Sequence, residues 1–211
     1  MPSDWEGRPV ALLDTEERRI YLRQARRYPS VTTAIGAVFP HLFANVGAAT
    51  LQHAQDRGKE VHKALALLYG AKVNHTLNWD TLDPEVAPRV KLIHEWLKKQ
   101  RWNPLYVERA FYSDVYGFGG TPDQVGRFGP EPPMVVLDFK PRDPKTADIQ
   151  LAGYGIAVQE SLGLPSAPAR LSLNVGDSVQ PVEYTRHARD AADFLHVLGA
   201  YNYGVRRSFW K

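Results

Sequence analysis

The chain has 211 residues, 44% of them hydrophobic and 23% charged, which suits a soluble globular protein, excludes a disordered or fibrous one, and supports one sizeable core in a single domain spanning 1–211. A formal net charge of +3 and an isoelectric point near 9.1 are mildly basic, compatible with transient contact to a phosphate backbone without requiring it. There is no cysteine, so disulfides and cysteine-ligated clusters, iron–sulfur clusters included, are excluded.

Residues 1–19 are polar with little periodicity and predict a loose lead-in. Residues 19–23 read as a strand paired with a neighbour near Tyr28, with 24–27 turning between them. Arg18, Arg19, Arg23, Arg26 and Arg27 form either a solvated charged surface or a contact to a phosphate backbone. Ser30, Thr32 or Thr33 can cap a helix over 34–39 that Pro40 ends. A longer helix is predicted over 48–69, closed by Gly70, with Val61, Leu65 and Leu68 as its buried stripe. His62 falls beside that stripe, either as a core or surface histidine or as a metal ligand.

Residues 72–83 read as a polar connection and 84–102 as an amphipathic helix with Val86, Val90, Ile93, Trp96 and Leu97 on one side. Alternation over 106–113 predicts a strand that carries Glu108 in its interior, where an unpaired carboxylate is costly. That carboxylate either pairs with an arginine such as Arg109 or assists a metal site. Gly117, Gly119 and Gly120 allow a hairpin to twist closely against its neighbours.

The most informative stretch follows. Residues 124–128 read as a strand, 129–133 as a turn and 135–140 as a buried strand stopped by Pro141. That last strand should be apolar to its end, yet it finishes with Asp138 and Lys140, which project to one face while Leu137 and Phe139 face the other way. A hairpin folds Asp123 back toward Asp138. Two carboxylates and a lysine at one place suit metal-assisted phosphodiester hydrolysis, because hard oxygen ligands hold a divalent cation and the ammonium orients water or stabilises the transition state. Beyond a turn at 141–143, a helix over 146–162 stopped by Gly163 puts Gln150 and Tyr154 on one face.

Pro122-Asp123 followed by Asp138-Phe139-Lys140 resembles the PD-(D/E)XK nuclease motif, and Gln150 with Tyr154 resembles the QxxxY motif of the RecB-like exonuclease branch. The pieces at 28–33, 57–62, 107–108 and 117–123 are similar to the phage and mitochondrial genome-maintenance exonuclease group, so the resemblance runs over 28–154. It implies an α/β fold with a mixed central sheet flanked by helices. It also implies an exonuclease on single-stranded DNA or duplex ends, with Mg2+ or Mn2+ held by Asp123, Asp138, the Phe139 carbonyl and His62. Lys140 then positions water, Glu108 assists, Gln150 and Tyr154 align substrate, and Ser30 and Thr32 lie at the substrate entrance. Relatives usually carry threonine where this chain has Pro141, so a contact from that position is not carried over. A structure- or sequence-specific endonuclease and a non-catalytic DNA-binding or recombination accessory protein are the alternatives, and a phage or repair partner fits the compact size.

Strands are predicted over 168–175 and 179–184, then a helix over 186–203 with Ala192, Leu195, Leu198 and Ala200 or Tyr201 as its stripe. The tail 206–211 mixes cations with aromatics, a mixture that either stacks on bases or packs on the core. No Gly-rich nucleotide loop is present, so ATP use is not expected. No apolar run approaches the roughly 18 residues that cross a bilayer. The start lacks a basic-then-apolar leader, which makes the cytoplasm of a bacterial or phage-infected cell the expected compartment.

Overall fold

The computed structural model describes residues 3–8, 10–15, 18–23, 25–40, 47–70, 77–130, 133–141 and 145–209. In chain order its elements are β1 (Ser3–Asp4), β2 (Ala11–Thr15), β3 (Arg18–Arg23), β4 (Arg26–Pro29), α1 (Val31–Val38), α2 (Ala48–Tyr69), α3 (Ala87–Lys99), β5 (Trp102–Val107), β6 (Arg109–Ser113), β7 (Phe118–Gly120), β8 (Gln124–Phe128), β9 (Val135–Lys140), α4 (Ala147–Leu162), β10 (Ala169–Val175), β11 (Val179–Glu183) and α5 (His187–Arg206). A short 3-10 turn, Trp79–Thr81, precedes α3. Parts of the predicted connection at 72–83, of the turn at 141–143 and of the tail lie outside the described residues.

The main sheet has the order β11-β10-β9-β8-β5. The β9/β10 pair is parallel and its other pairs are antiparallel. It is therefore the mixed sheet expected, with β9 at its centre. Side chains alternate along β9 and reach two cores. Val136 packs in the core built with α1, α4 and α5, whereas Val135, Leu137 and Phe139 pack in the core built with α2 and α3. The sheet thus lies between two helical layers. Val61, Ala64 and Leu65 of α2 meet Val90, Ile93 and Leu97 of α3 at helical spacing in the second core. Among the described residues no helix is long and apolar enough to cross a membrane.

Two small sheets, β1-β6-β7 and β2-β3-β4, flank this core. The opening residues are not a loose lead-in, since β1 and β2 lie within them. Asp4 organises the first turn: Oδ1 accepts from the backbone N–H of Glu6 and of Arg8, and Oδ2 accepts from Arg8 Nε at 2.8 Å. The Trp5 ring then stacks on Phe111. The β3/β4 hairpin pairs Tyr21 with Tyr28 as expected, although Arg26 and Arg27 belong to β4 rather than to the turn.

Four further boundaries differ from the sequence expectation. Helix α1 starts at Val31, because Ser30 caps it by accepting from Thr33 N. Helix α3 spans only Ala87–Lys99; the backbone turns at Arg101 (φ 55°), and Trp102 opens β5 with its ring tilted against Phe128. The strand predicted over 106–113 is two strands in different sheets, broken at Glu108 (φ 49°). Helix α5 runs on to Arg206 and buries Phe194, Val197, Leu198 and Tyr201, while Ala192 and Ala200 are exposed.

Candidate metal centre

The break at Glu108 builds the site. Val107 closes β5 in the main sheet and Arg109 opens β6 in a small one, so the chain changes sheets within one residue. A left-handed glutamate is strained by roughly 1–3 kcal/mol. Its N–H donates to the Asp123 carbonyl at 3.0 Å, which ties the kink to the segment that leads into β8. Asp123 sits just ahead of β8, and its Oδ2 accepts from Phe139 N at 2.6 Å. The β8/β9 pairing runs only from Gly126↔Val135 to Gln124↔Leu137, so this carboxylate takes over where the ladder stops. Within a strand the C=O of a residue leaves on the same side as its N–H, which directs the Phe139 carbonyl toward Asp123.

Helix α2 brings His62 against these groups from the other helical layer, with its ring edge-on to Phe139. Nδ1 lies 2.9 Å from Asp123 Oδ1 and 3.5 Å from Glu108 Oε1. One donor atom from each of His62, Glu108 and Asp123 fits within 4.8 Å of the others, a separation that one metal ion can bridge. The expectation joined His62, Asp123 and Asp138 and gave Glu108 an assisting part. The structure brings His62, Glu108 and Asp123 within 4.8 Å of one another, and Asp138 of β9 interacts electrostatically with Asp123.

Charge in this cluster is poorly solvated. Burial opposes ionisation of His62, but Asp123 and Glu108 outweigh it and push the imidazole well above its ordinary 6.5. Burial likewise opposes ionisation of Asp123, yet His62, Lys140 and the Phe139 N–H hold it below 3.8. Burial raises Glu108, assisted by Asp123 and partly offset by His62. Asp138 is perturbed upward as well. It is only 2% exposed, and burial, with Asp123 adding to it, lifts it to about 6 against the attraction of Lys140. Lys140 Nζ lies 3.0 Å from Asp138 Oδ2, but that oxygen is buried with no aligned hydrogen bond. The ammonium itself stays charged, because Asp138 and Asp123 offset its burial.

Helix α4 covers the Asp138 face of β9. Gln150 and Tyr154, 8% and 6% exposed, are joined by Nε2 donating to Oη at 3.1 Å. Burial, then the nearby Asp138 and Asp123, raise the Tyr154 phenol well above 10.0. Gly120 makes room for that ring, since a Cβ at 120 would stand 2.6 Å from Tyr154 Cδ1. Two polar residues that the sequence analysis did not single out share this face. Ser172 and Asn174 of β10 are the register partners of Asp138 and Lys140, and Ser172 Oγ donates to Asn174 Oδ1 at 3.0 Å. Their signal in the sequence is a polar side chain at every second position between Leu171, Leu173 and Val175.

Ser30 is buried, and its hydroxyl is engaged by Thr33 N at 2.9 Å and Thr33 Oγ1 at 2.8 Å. Thr32 is exposed, 3.0 Å from Ser30 Oγ. Arg23 lies over the Tyr112 ring and pairs with Asp114 at 3.2 Å.

No protein-family model matches the chain, and no curated protein matches it. Among solved structures, a protein from Eubacterium rectale to which exonuclease activity is ascribed superposes with a TM-score of 0.41 at 11% identity. The match covers 69% of this chain and 63% of that one, so the chain spans less than two-thirds of the neighbour's length.

Proposed function

We propose that the chain is a divalent-cation-dependent deoxyribonuclease with a single PD-(D/E)XK domain of the RecB-like branch, acting as an exonuclease on single-stranded DNA or duplex ends. The observation that carries this reading is the convergence of His62 from α2, Glu108 from the β5/β6 kink and Asp123 from the β7/β8 link, beside Asp138 and Lys140 of β9. The donor set fits a hard or borderline cation such as Mg2+ or Mn2+. The buried Asp138 carboxyl, raised to about 6 even with the Lys140 ammonium 3.0 Å from Oδ2, has charge that a cation would offset.

His62, Glu108, Asp123, Asp138 and the Phe139 carbonyl would hold the ion. A cation bound there supplies Lewis-acid stabilisation of phosphate charge and an acidified water. The remaining chemistry belongs to the chain. Lys140 Nζ, fixed 3.0 Å from Asp138, holds the attacking water and offsets charge that builds on the phosphate oxygens. Gln150 and Tyr154 present an amide and a phenol on the same face to align the scissile phosphate. The raised Tyr154 keeps its proton and stays a donor at neutral pH. The water oxygen forms the new bond to phosphorus, the bridging P–O bond breaks, and the departing oxygen takes up a proton.

The test uses purified protein with Mg2+ or Mn2+, or with EDTA, on 5′- and 3′-labelled single- and double-stranded DNA and on a closed circle. Wild type shortens labelled ends only with metal and leaves the circle intact, and Lys140→Ala loses at least about a hundredfold in rate. Cleavage by Lys140→Ala at the wild-type rate overturns the mechanism. A cut circle replaces the exonuclease reading with the endonuclease one, and metal-independent DNA binding without cleavage leaves an accessory protein.

A further inference from the structure

On the opposite side of β9 from Gln150, helices α2 and α3 leave a cavity of about 130 Å³. Its walls are apolar, formed by Val61 of α2, Ile93 of α3, Phe139 of β9 and Val175 of β10. Arg57 and Arg89 also line it, one from each helix. His62 and Lys140 belong at once to this lining and to the candidate metal centre. The cavity therefore adjoins the candidate metal centre.

Size and chemistry narrow the occupant. A cavity of about 150 Å³ lined by aliphatic and aromatic side chains takes one benzene ring, so this cavity has room for a single flat ring and too little for a drug-sized molecule. The apolar walls suit the faces of such a ring. The arginines suit what a nucleotide attaches to it, since a guanidinium pairs with phosphate oxygens or stacks on a base. Arg57 is oriented by Glu85, whose Oε2 accepts from Nη1 at 2.5 Å, while Arg57 Nε is buried without a partner. An unsatisfied buried donor favours the arrival of an acceptor.

We propose that this cavity is a nucleobase subsite, which seats the base flanking the hydrolysed phosphodiester while Arg57 and Arg89 meet the adjoining phosphate. The proposal rests on the nuclease reading and adds its substrate geometry. The four wall residues carry no side-chain hydroxyl or amide, so they read the ring face and not the hydrogen-bonding edge. A pyrimidine's single ring is then accepted whatever its hydrogen-bonding edge, while the two fused rings of a purine exceed the space.

Gly58 provides the test. It lines the cavity in the middle of α2, and a Cβ there meets no atom within 4 Å. Gly58→Leu therefore adds bulk without a clash and replaces a poor helix former by a good one, so the fold is kept. The probes are dTMP, dAMP and, as a control without a base, deoxyribose 5-phosphate, titrated by calorimetry into EDTA-treated protein. Wild type binds dTMP, with dAMP and the base-free control at least about tenfold weaker, and Gly58→Leu loses at least about tenfold in dTMP affinity. No binding of dTMP by wild type at millimolar concentration, or equal affinity in the variant, overturns the subsite. These readings use neither metal nor cleavage. Mononucleotide binding by a protein that cuts no DNA discards the nuclease reading alone, and cleavage without mononucleotide binding discards the subsite alone.

Discussion

Asp138 should be a liability to the protein when no cation is present. Its carboxyl is raised from 3.8 to about 6, with burial as the largest cause and Asp123 adding to it, even though Lys140 pulls the other way. The folded chain therefore holds this proton more tightly than the unfolded chain. Any stabilisation is fully present below pH 3.8 and is lost as pH rises through about 6. The interval corresponds to about 3 kcal/mol, already net of the lysine. Asp138→Asn keeps the shape and removes the charge. In EDTA at pH 8 the variant should be more stable than wild type by up to about 3 kcal/mol, a rise in melting temperature of roughly 6–12 °C for a chain of this size. Near pH 4 the two should melt together. Adding Mn2+ should raise the wild-type melting temperature by more than it raises the variant's, which keeps His62, Glu108 and Asp123 but loses one ligand. Thermal unfolding followed by circular dichroism at both pH values, with EDTA and then with Mn2+, measures all of this. A variant less stable than wild type at pH 8 in EDTA refutes the reasoning, because the Lys140 ion pair would then outweigh the desolvation of Asp138.

Other parts of the site give separate outcomes. His62 is held as an imidazolium between Asp123 and Glu108, and a cation taken up by that nitrogen must displace its proton. Mn2+ affinity should then rise about tenfold per pH unit below the raised folded-state value, and a pH-independent affinity in calorimetry counts against ligation by His62. The same shift makes the stability that His62 contributes in EDTA full below 6.5 and lost as pH rises through that raised value. Gly120→Ala drives a Cβ to 2.6 Å from the Tyr154 ring and 3.2 Å from Val31 Cγ2. It should destabilise by about 1–3 kcal/mol and slow cleavage while Mn2+ affinity holds; an unchanged melting temperature argues against that packing. Ser30→Ala should lose about 1 kcal/mol through the missing cap and leave the KM for DNA unaltered. A raised KM would return Ser30 to the substrate entrance.

The centre of the fold was legible because its signals are local. Val135–Lys140 is a β-branched run between prolines, and Gly70 and Gly163 mark where α2 and α4 stop. The β8/β9 hairpin that carries Asp138 and follows Asp123 was legible from the turn residues between two strand-like runs. The kink at Glu108 was not legible. A glutamate at φ 49° has no local signature, and the conformation is held by a tertiary bond to the Asp123 carbonyl. The membership of the His62, Glu108 and Asp123 group depends on that kink. The stripe on α5 was legible in part: Leu198 and Tyr201 are buried and Leu195 packs on the core. Phe194 and Val197 were missed, because the close approach of Gly153, where a Cβ would stand 2.8 Å from Phe194 Cε2, sets the face. The lead-in was misjudged for a similar reason: Asp4 builds its turn through side-chain bonds to backbone, and Trp5 finds Phe111 more than a hundred residues away.

The central claim is that side chains from α2, from the β5/β6 kink, from the β7/β8 link and from β9 share one divalent cation. Anomalous X-ray diffraction from crystals grown with Mn2+ tests it most directly. The account predicts an anomalous peak within ligand distance of His62, Glu108 and Asp123, with Asp138 drawn toward it. A map with no peak there, and with His62 Nδ1 still donating to Asp123, contradicts it.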